Sequence, residues 1–169
     1  MAAGHHHQPA PATLTLAVLT VSDTRTYDTD ESGRLIGDLC RAAGHVVASW
    51  RIVPDEPAAV TRELQTAVAH CEVAAVLVNG GTGISARDRT YEAITALMQR
   101  RLDGFGELFR SLSYQEVGSA AMLSRAVAGL VAGKPVFSMP GSPAAVRLAM
   151  EKLILPELGH VVAEAGKPT

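Results

Sequence analysis

Two segments of strand length are apolar at almost every position: Leu14–Ser22 (LTLAVLTVS) and Val73–Asn79 (VAAVLVN). A strand with one wet face alternates apolar and polar residues. A run without that alternation belongs in a sheet covered on both faces. Around these runs, apolar residues recur at helical spacing. Leu35, Ile36, Leu39 and Ala42 precede a stop at Gly44, and Val60, Leu64, Ala67, Val68 and Cys71 line one face of 59–71. The β-rich segment His45–Val53 ends at Pro54. Helical patterns cover 91–100 and 105–114, and Lys134-Pro135 leads into a short strand, Val136–Met139. Residues 142–158 read as a helix, with Pro156 a kink or a break. Strands alternating with amphipathic helices predict an α/β fold of three layers, a mostly parallel sheet flanked by helices on both faces. Ligands of such sheets bind beyond the carboxyl ends of the strands.

The chain has 169 residues, 47% of them hydrophobic but only 4% aromatic, so one core built from Ala, Val, Leu and Ile is expected. We divide it into a tail, 1–13, and one domain, 14–169. The tail holds His5, His6 and His7, which read as a metal-binding tract or as an exposed end. A formal net charge of -2 argues against a nucleic-acid partner, which needs clustered Lys and Arg. Any phosphate site is therefore local and made largely of backbone. Cys40 and Cys71 have no metal-ligand spacing and form no disulfide framework. No apolar run reaches membrane length and no secretory leader opens the chain, so a cytoplasmic protein without a membrane partner is expected.

The strongest motif is Val76–Thr90 (VLVNGGTGISARDRT), in which a buried strand leads through Asn79, Gly80, Gly81, Thr82 and Gly83 into a helix. Glycines let backbone N–H groups approach an anion, and the following helix adds its dipole. The loop is neither a Walker A loop nor a dinucleotide fingerprint. A tight turn that needs glycine for its φ angles is the competing reading. Asp88 follows. A carboxylate beside a phosphate loop calls for a cation between them, and Mg²⁺ suits one or two carboxylates plus substrate phosphates. Asp88 equally suits a helix cap at Thr90 or a pair with Arg87 or Arg89. Asp55, after the second strand, reads as a helix cap before Pro57 or as a second carboxylate at the same sheet edge.

Ser22, Asp23 and Arg25 follow the first strand, and Arg25 suits a phosphate or carboxylate. Gly141 and Ser142 follow the last, with Ser142 an N-cap and Pro143 the first helical residue. The segments 104–110 and 118–125 read as cleft lining or as close helix packing. His45, His70 and His160 lie at helix ends or strand starts, where a helix C-terminus favours the cation, and they read as structural or surface residues. Trp50 reads as a core or interface aromatic.

Together these blocks resemble the MoaB/MogA family of molybdenum cofactor biosynthesis, which includes gephyrin-like G domains. The resemblance runs through the whole chain after the tail. It rests on Thr20–Arg25 (TVSDTR), Val53–Glu56 (VPDE), Asn79–Gly83 (NGGTG) with Asp88 and Thr90, Phe105–Glu107 (FGE) and Pro140–Pro143 (PGSP). Ser113–Gly118 and Ala121–Arg125 are similar to the MoaB branch. Asn79 stands where Ser or Thr is frequent in the family. The resemblance implies the molybdopterin-binding fold and a homo-oligomer, a trimer or a hexamer. It implies Mg²⁺-dependent adenylylation of molybdopterin by ATP, giving adenylated molybdopterin and pyrophosphate, with a downstream protein that inserts molybdate or tungstate. The family's two important aspartates fall on Asp55 and Asp88, as catalytic residues and Mg²⁺ ligands. Substrate and phosphate contacts fall on Ser22, Asp23, Arg25, Asn79, Gly80, Gly81, Thr82, Gly83, Glu107, Ser119, Gly141 and Ser142. A molybdopterin-binding or carrier protein without turnover is the alternative.

Overall fold

The computed structural model describes residues 12–167, so His5–His7 and most of the expected tail lie outside the described residues. Six strands form one sheet in the order β2-β1-β3-β6-β5-β4. These are β1 (Thr15–Val21), β2 (Val46–Val53), β3 (Ala75–Asn79), β4 (Arg100–Arg101), β5 (Val127–Val131) and β6 (Lys134–Met139). β2, β1, β3 and β6 run parallel, whereas β5 is antiparallel to β6 and β4 to β5. The helices are α1 (Glu31–Ala42), α2 (Pro57–Ala69), α3 (Thr90–Leu97), α4 (Asp103–Val117), α5 (Pro143–Ala149) and α6 (Leu155–Ala165).

Both faces of the sheet are covered, as the apolar runs require. Leu16 and Val18 of β1, Ala75 and Leu77 of β3, and Phe137 and Met139 of β6 pack with residues of α1, α4, α5 and α6. The alternate residues Ala17, Leu19, Val21, Val76, Val78 and Val136 pack with Val60 and Leu64 of α2 and Ile94 of α3. The period of two sends successive residues to opposite faces, and here both faces are core. The chain leaving β1 therefore turns to one face, into α1, and the chain leaving β3 turns to the other, into α3. Adjacent parallel strands whose connections part in this way open a crevice at their carboxyl ends.

Three local features differ from expectation. Arg100 belongs to β4, not to the preceding helix, because α3 ends at Leu97. β5 is an additional strand, joined to β6 by a two-residue turn in which Ala132 (φ +49°) and Gly133 (φ +76°) are both left-handed. Two positive φ angles match the twist of a hairpin, but Ala-Gly is not a common signal for it. Pro156 does not end the last helical run but stands in the first turn of α6. A π turn, Met150–Ile154, precedes it, and the Leu155 N–H bonds to the Met150 carbonyl. Widening that turn moves aside the carbonyl that the proline ring would strike.

Candidate active site

Four loops meet at the carboxyl edge of the sheet, after β1, β2, β3 and β6. In the first, the Ser22 Oγ accepts from the Thr24 and Arg25 N–H groups at 3.2 and 3.1 Å. This serine turn redirects the chain, and Arg25 crosses to the β6 loop. Its Nη2 donates to the Gly141 carbonyl at 2.6 Å, and its Nη1 lies 3.5 Å from both Asp30 Oδ1 and Asn79 Oδ1. Asp23 joins two further loops. Its Oδ1 accepts the Asp55 N–H at 3.1 Å, and its Oδ2 accepts Arg87 Nε at 2.8 Å. The Arg87 hydrogen bond, helped by the Asp55 N–H, holds the Asp23 carboxyl below its ordinary value.

The glycine turn is shaped by contact as well as by φ. Gly80 has φ +97°, and a Cβ there would lie 2.2 Å from the Val21 carbonyl oxygen. The adjoining Gly81 has φ +63°. Asn79 is fully buried and turned inward, its Nδ2 donating to Thr20 Oγ1 at 2.9 Å. It ties β3 to β1 and does not face the cleft.

Both aspartates lie against this turn. Asp55 does not cap α2, where Glu56 holds the N-cap position without a side-chain bond. Its Oδ1 instead accepts Thr90 Oγ1 at 2.8 Å, and its Oδ2 would lie 3.1 Å from a Cβ on Gly81. Asp88 does not cap α3 either, where the N-cap is Arg89, again without a side-chain bond. Its Oδ2 accepts the Ser85 N–H at 3.0 Å and would lie 2.5 Å from a Cβ on Gly83. Arg87 is spent on Asp23, so Asp88 is not its partner. One oxygen of each carboxylate, Asp55 Oδ2 and Asp88 Oδ1, has no hydrogen-bond partner among the described residues. Among those residues no cluster of three or more His, Cys, Asp or Glu could cage a metal. Two carboxylates with open oxygens beside a backbone turn suit Mg²⁺, which takes its remaining ligands from phosphates and water.

A cleft of about 270 Å³ runs from Thr82 and Gly83 to Pro140 and Ser142, walled by Phe109, Ser113 and Ala120. Ser142 caps α5, its Oγ accepting the Ala145 N–H at 3.2 Å. Glu107 is not in this cleft. It lines a second cavity of about 470 Å³ with Tyr91, Arg101, Arg110 and Arg125, and Ser124 lines both this cavity and the cleft. Ser119 is exposed and lines neither.

The sequence reading held Arg125 only as part of 118–125, as cleft lining or close packing and as part of the MoaB-like block, and did not single out Asp30. Arg125 donates to the carbonyls of Gly83 and Asp88, pairs with Glu92, and lies 4.9 Å from the centre of the Tyr91 ring. It clamps the segment that carries Asp88. Asp30 is the N-cap of α1 and accepts the Gly33 N–H at 2.9 Å. The pattern Asp30-Glu31-Ser32-Gly33, an Asx cap before a helical run, was its available signal. No local pattern announces Arg125, whose partners lie more than 30 positions away.

Comparison with known proteins agrees with this fold. Residues 17–160 match the family described as "Probable molybdopterin binding domain". The molybdenum cofactor biosynthesis protein B of Halalkalibacterium halodurans is 52% identical over 165 residues, 97% of each chain. A crystal structure of a molybdenum cofactor biosynthesis protein B superposes with TM-score 0.90 at 51% identity, over 93% of this chain and 98% of that one. The tungsten cofactor synthesizing protein MoaB of Pyrococcus furiosus superposes with TM-score 0.84 at 38% identity, over 93% and 99%. With its mixed six-stranded sheet, helices on both faces and a glycine turn at the carboxyl edge, this chain belongs to the MoaB/MogA family of molybdenum cofactor biosynthesis proteins.

Proposed function

We propose that the chain adenylylates molybdopterin, using ATP and Mg²⁺ and releasing pyrophosphate. The observation that carries this reading is the placement of Asp55 and Asp88 against Gly81 and Gly83, each with one open carboxylate oxygen. In the reaction an oxygen of the pterin's terminal phosphate forms a bond to the α-phosphorus of ATP. The bond from that phosphorus to the bridging oxygen breaks, and pyrophosphate carries the electron pair away. Two anions must be brought together, so the protein's work is positioning and charge neutralisation. The Gly80–Gly83 backbone and Ser142 would cradle phosphates. Asp55 and Asp88 would hold Mg²⁺, which supplies charge neutralisation when bound. Arg25 and Asp23 hold the surrounding loops in register. The assay is pyrophosphate release from molybdopterin, ATP and Mg²⁺, with an active relative as control. Asp88→Asn is expected to lower the rate about 100-fold or more. No pyrophosphate from the wild type, beside an active control, sinks the enzyme reading.

A second reading is a carrier that holds molybdopterin or its adenylate without turnover. One observation favours it. Each aspartate already has a structural partner, Asp55 on Thr90 and Asp88 on Ser85, so a metal is not needed to explain their placement. It requires molybdopterin binding that Asp88→Asn leaves intact. We further propose a cytoplasmic homo-oligomer, a trimer or a hexamer, that hands its product to a molybdate- or tungstate-inserting protein. Among the described residues no helix is long and apolar enough to cross a membrane. Leu108, Tyr114, Val117, Met122 and Leu123 are exposed along 108–123, a surface that suits association.

A further inference from the structure

The Gly141 carbonyl oxygen is held by two donors from outside its own loop, Arg25 Nη2 at 2.6 Å and Ser32 Oγ at 2.7 Å. Ser32 is fully buried in the first turn of α1. Arg25 is set in turn by Asp30, which lies 3.5 Å from its Nη1 and is itself fully buried. The Asp30 carboxylate also accepts Thr20 Oγ1 at 2.5 Å, Trp50 Nε1 at 3.2 Å and the Gly33 N–H at 2.9 Å. A buried carboxylate must be paired and hydrogen-bonded, and four donors, from β1, the loop after it, α1 and β2, do that here. Gly33 is what lets them close in. A Cβ there would lie 2.2 Å from Asp30 Oδ2 and 2.4 Å from Trp50 Nε1. Neither Asp30 nor Ser32 lines the cleft.

The consequence reaches the cleft through one peptide bond. A trans peptide is planar, with its C=O and N–H on opposite sides. Holding the Gly141 oxygen toward Arg25 and Ser32 turns the Ser142 N–H away from both, and Ser142 itself lines the cleft. No acceptor among the described residues takes that N–H. Gly141 cannot otherwise be relied on to keep this orientation, because a residue without a Cβ leaves its neighbouring peptides free to rotate.

We infer that Asp30 and Ser32 are positioning residues, which act through Arg25 and the Gly141 carbonyl to present the Ser142 N–H to a phosphate oxygen of the substrate. What the N–H meets rests on the proposed function. How the peptide is held rests on geometry alone. The test uses Ser32→Ala and Asp30→Asn in the full chain. In isotope-labelled protein without ligand, the Gly141 carbonyl ¹³C and Ser142 amide resonances are expected to shift in both variants. With ATP and molybdopterin, Ser32→Ala is expected to raise the KM of the substrate whose phosphate the Ser142 N–H meets, ATP or molybdopterin, about fivefold with kcat little changed, the loss of one well-placed hydrogen bond. A purely structural role would lower the melting temperature and leave KM unchanged where the chain is folded, and that result overturns the inference. Unshifted Gly141 and Ser142 resonances overturn it as well. If Asp30→Asn does not fold, Ser32→Ala decides alone, since it removes a single hydroxyl. If the wild type makes no pyrophosphate, the proposed function fails, and the ligand-free resonances decide how the peptide is held.

Discussion

At the scale of single residues, side chains that read as ligand contacts divide into two kinds. Asp55, Asp88, Thr82, Gly83 and Ser142 lie at the turn or the cleft, whereas Asn79, Asp23 and Arg25 are used to tie loops to one another. The type of each residue was legible, but the direction of its side chain was not. An aspartate after a strand serves as cap, bridge or ligand according to what the fold brings beside it, and Thr90 lies 35 positions from Asp55. Gly80 carries the sharpest expectation at this scale. Its left-handed φ and its contact with the Val21 carbonyl oppose any side chain. Gly80→Ala is expected to lose more than about 2 kcal/mol of stability by urea denaturation. A loss below about 1 kcal/mol would show that the turn adjusts around a Cβ.

At the scale of elements, the parallel strands and their helices were legible because their apolar patterns are long and local. β4 and β5 were not. β4 has two exposed arginines, and the β5–β6 hairpin turns on Ala132 and Gly133 where Asn-Gly or Asp-Gly would announce it. Asn tolerates the left-handed region better than Ala, so Ala132→Asn is expected to stabilise the chain by about 0.5–1 kcal/mol, read as a higher urea midpoint. The start of the β1–β2 pair carries a pH dependence. The Leu14 N–H donates to His45 Nδ1 at 3.3 Å, which requires the neutral ring. Burial lowers the His45 pKa from its ordinary 6.5, in keeping with its place as an acceptor of the Leu14 N–H. Above the unfolded value both states are neutral and this stability is fully present. As the pH falls below it, the unfolded chain takes up the proton first and stability declines until the lowered folded value is passed. The urea midpoint is expected to drop as the pH falls below about 6.5, and His45→Gln to flatten that drop. A wild-type midpoint that stays level as the pH falls would exclude His45 as the cause.

At the scale of the whole molecule, the exposed apolar side chains along 108–123 lead to an expectation about association. Light scattering on the purified chain is expected to give a mass three or six times that of one copy, and Met122→Glu with Leu123→Glu to reduce it. A wild type that runs as a single copy would refute the oligomer. The sequence by itself determined the layers: runs apolar on both sides demand cover on both faces, and local periodicity says where the cover comes from. It also determined which loops carry glycine, carboxylate and hydroxyl groups to one edge of the sheet. Only the tertiary structure decided what those groups do there. Asp23 meets Arg87 and Asp55, Arg25 meets Gly141, and Arg125 meets Gly83 across separations of roughly 30 to 120 positions. No local propensity encodes such meetings. They follow from the order in which the strands lie side by side, and that order is set by packing across the whole sheet.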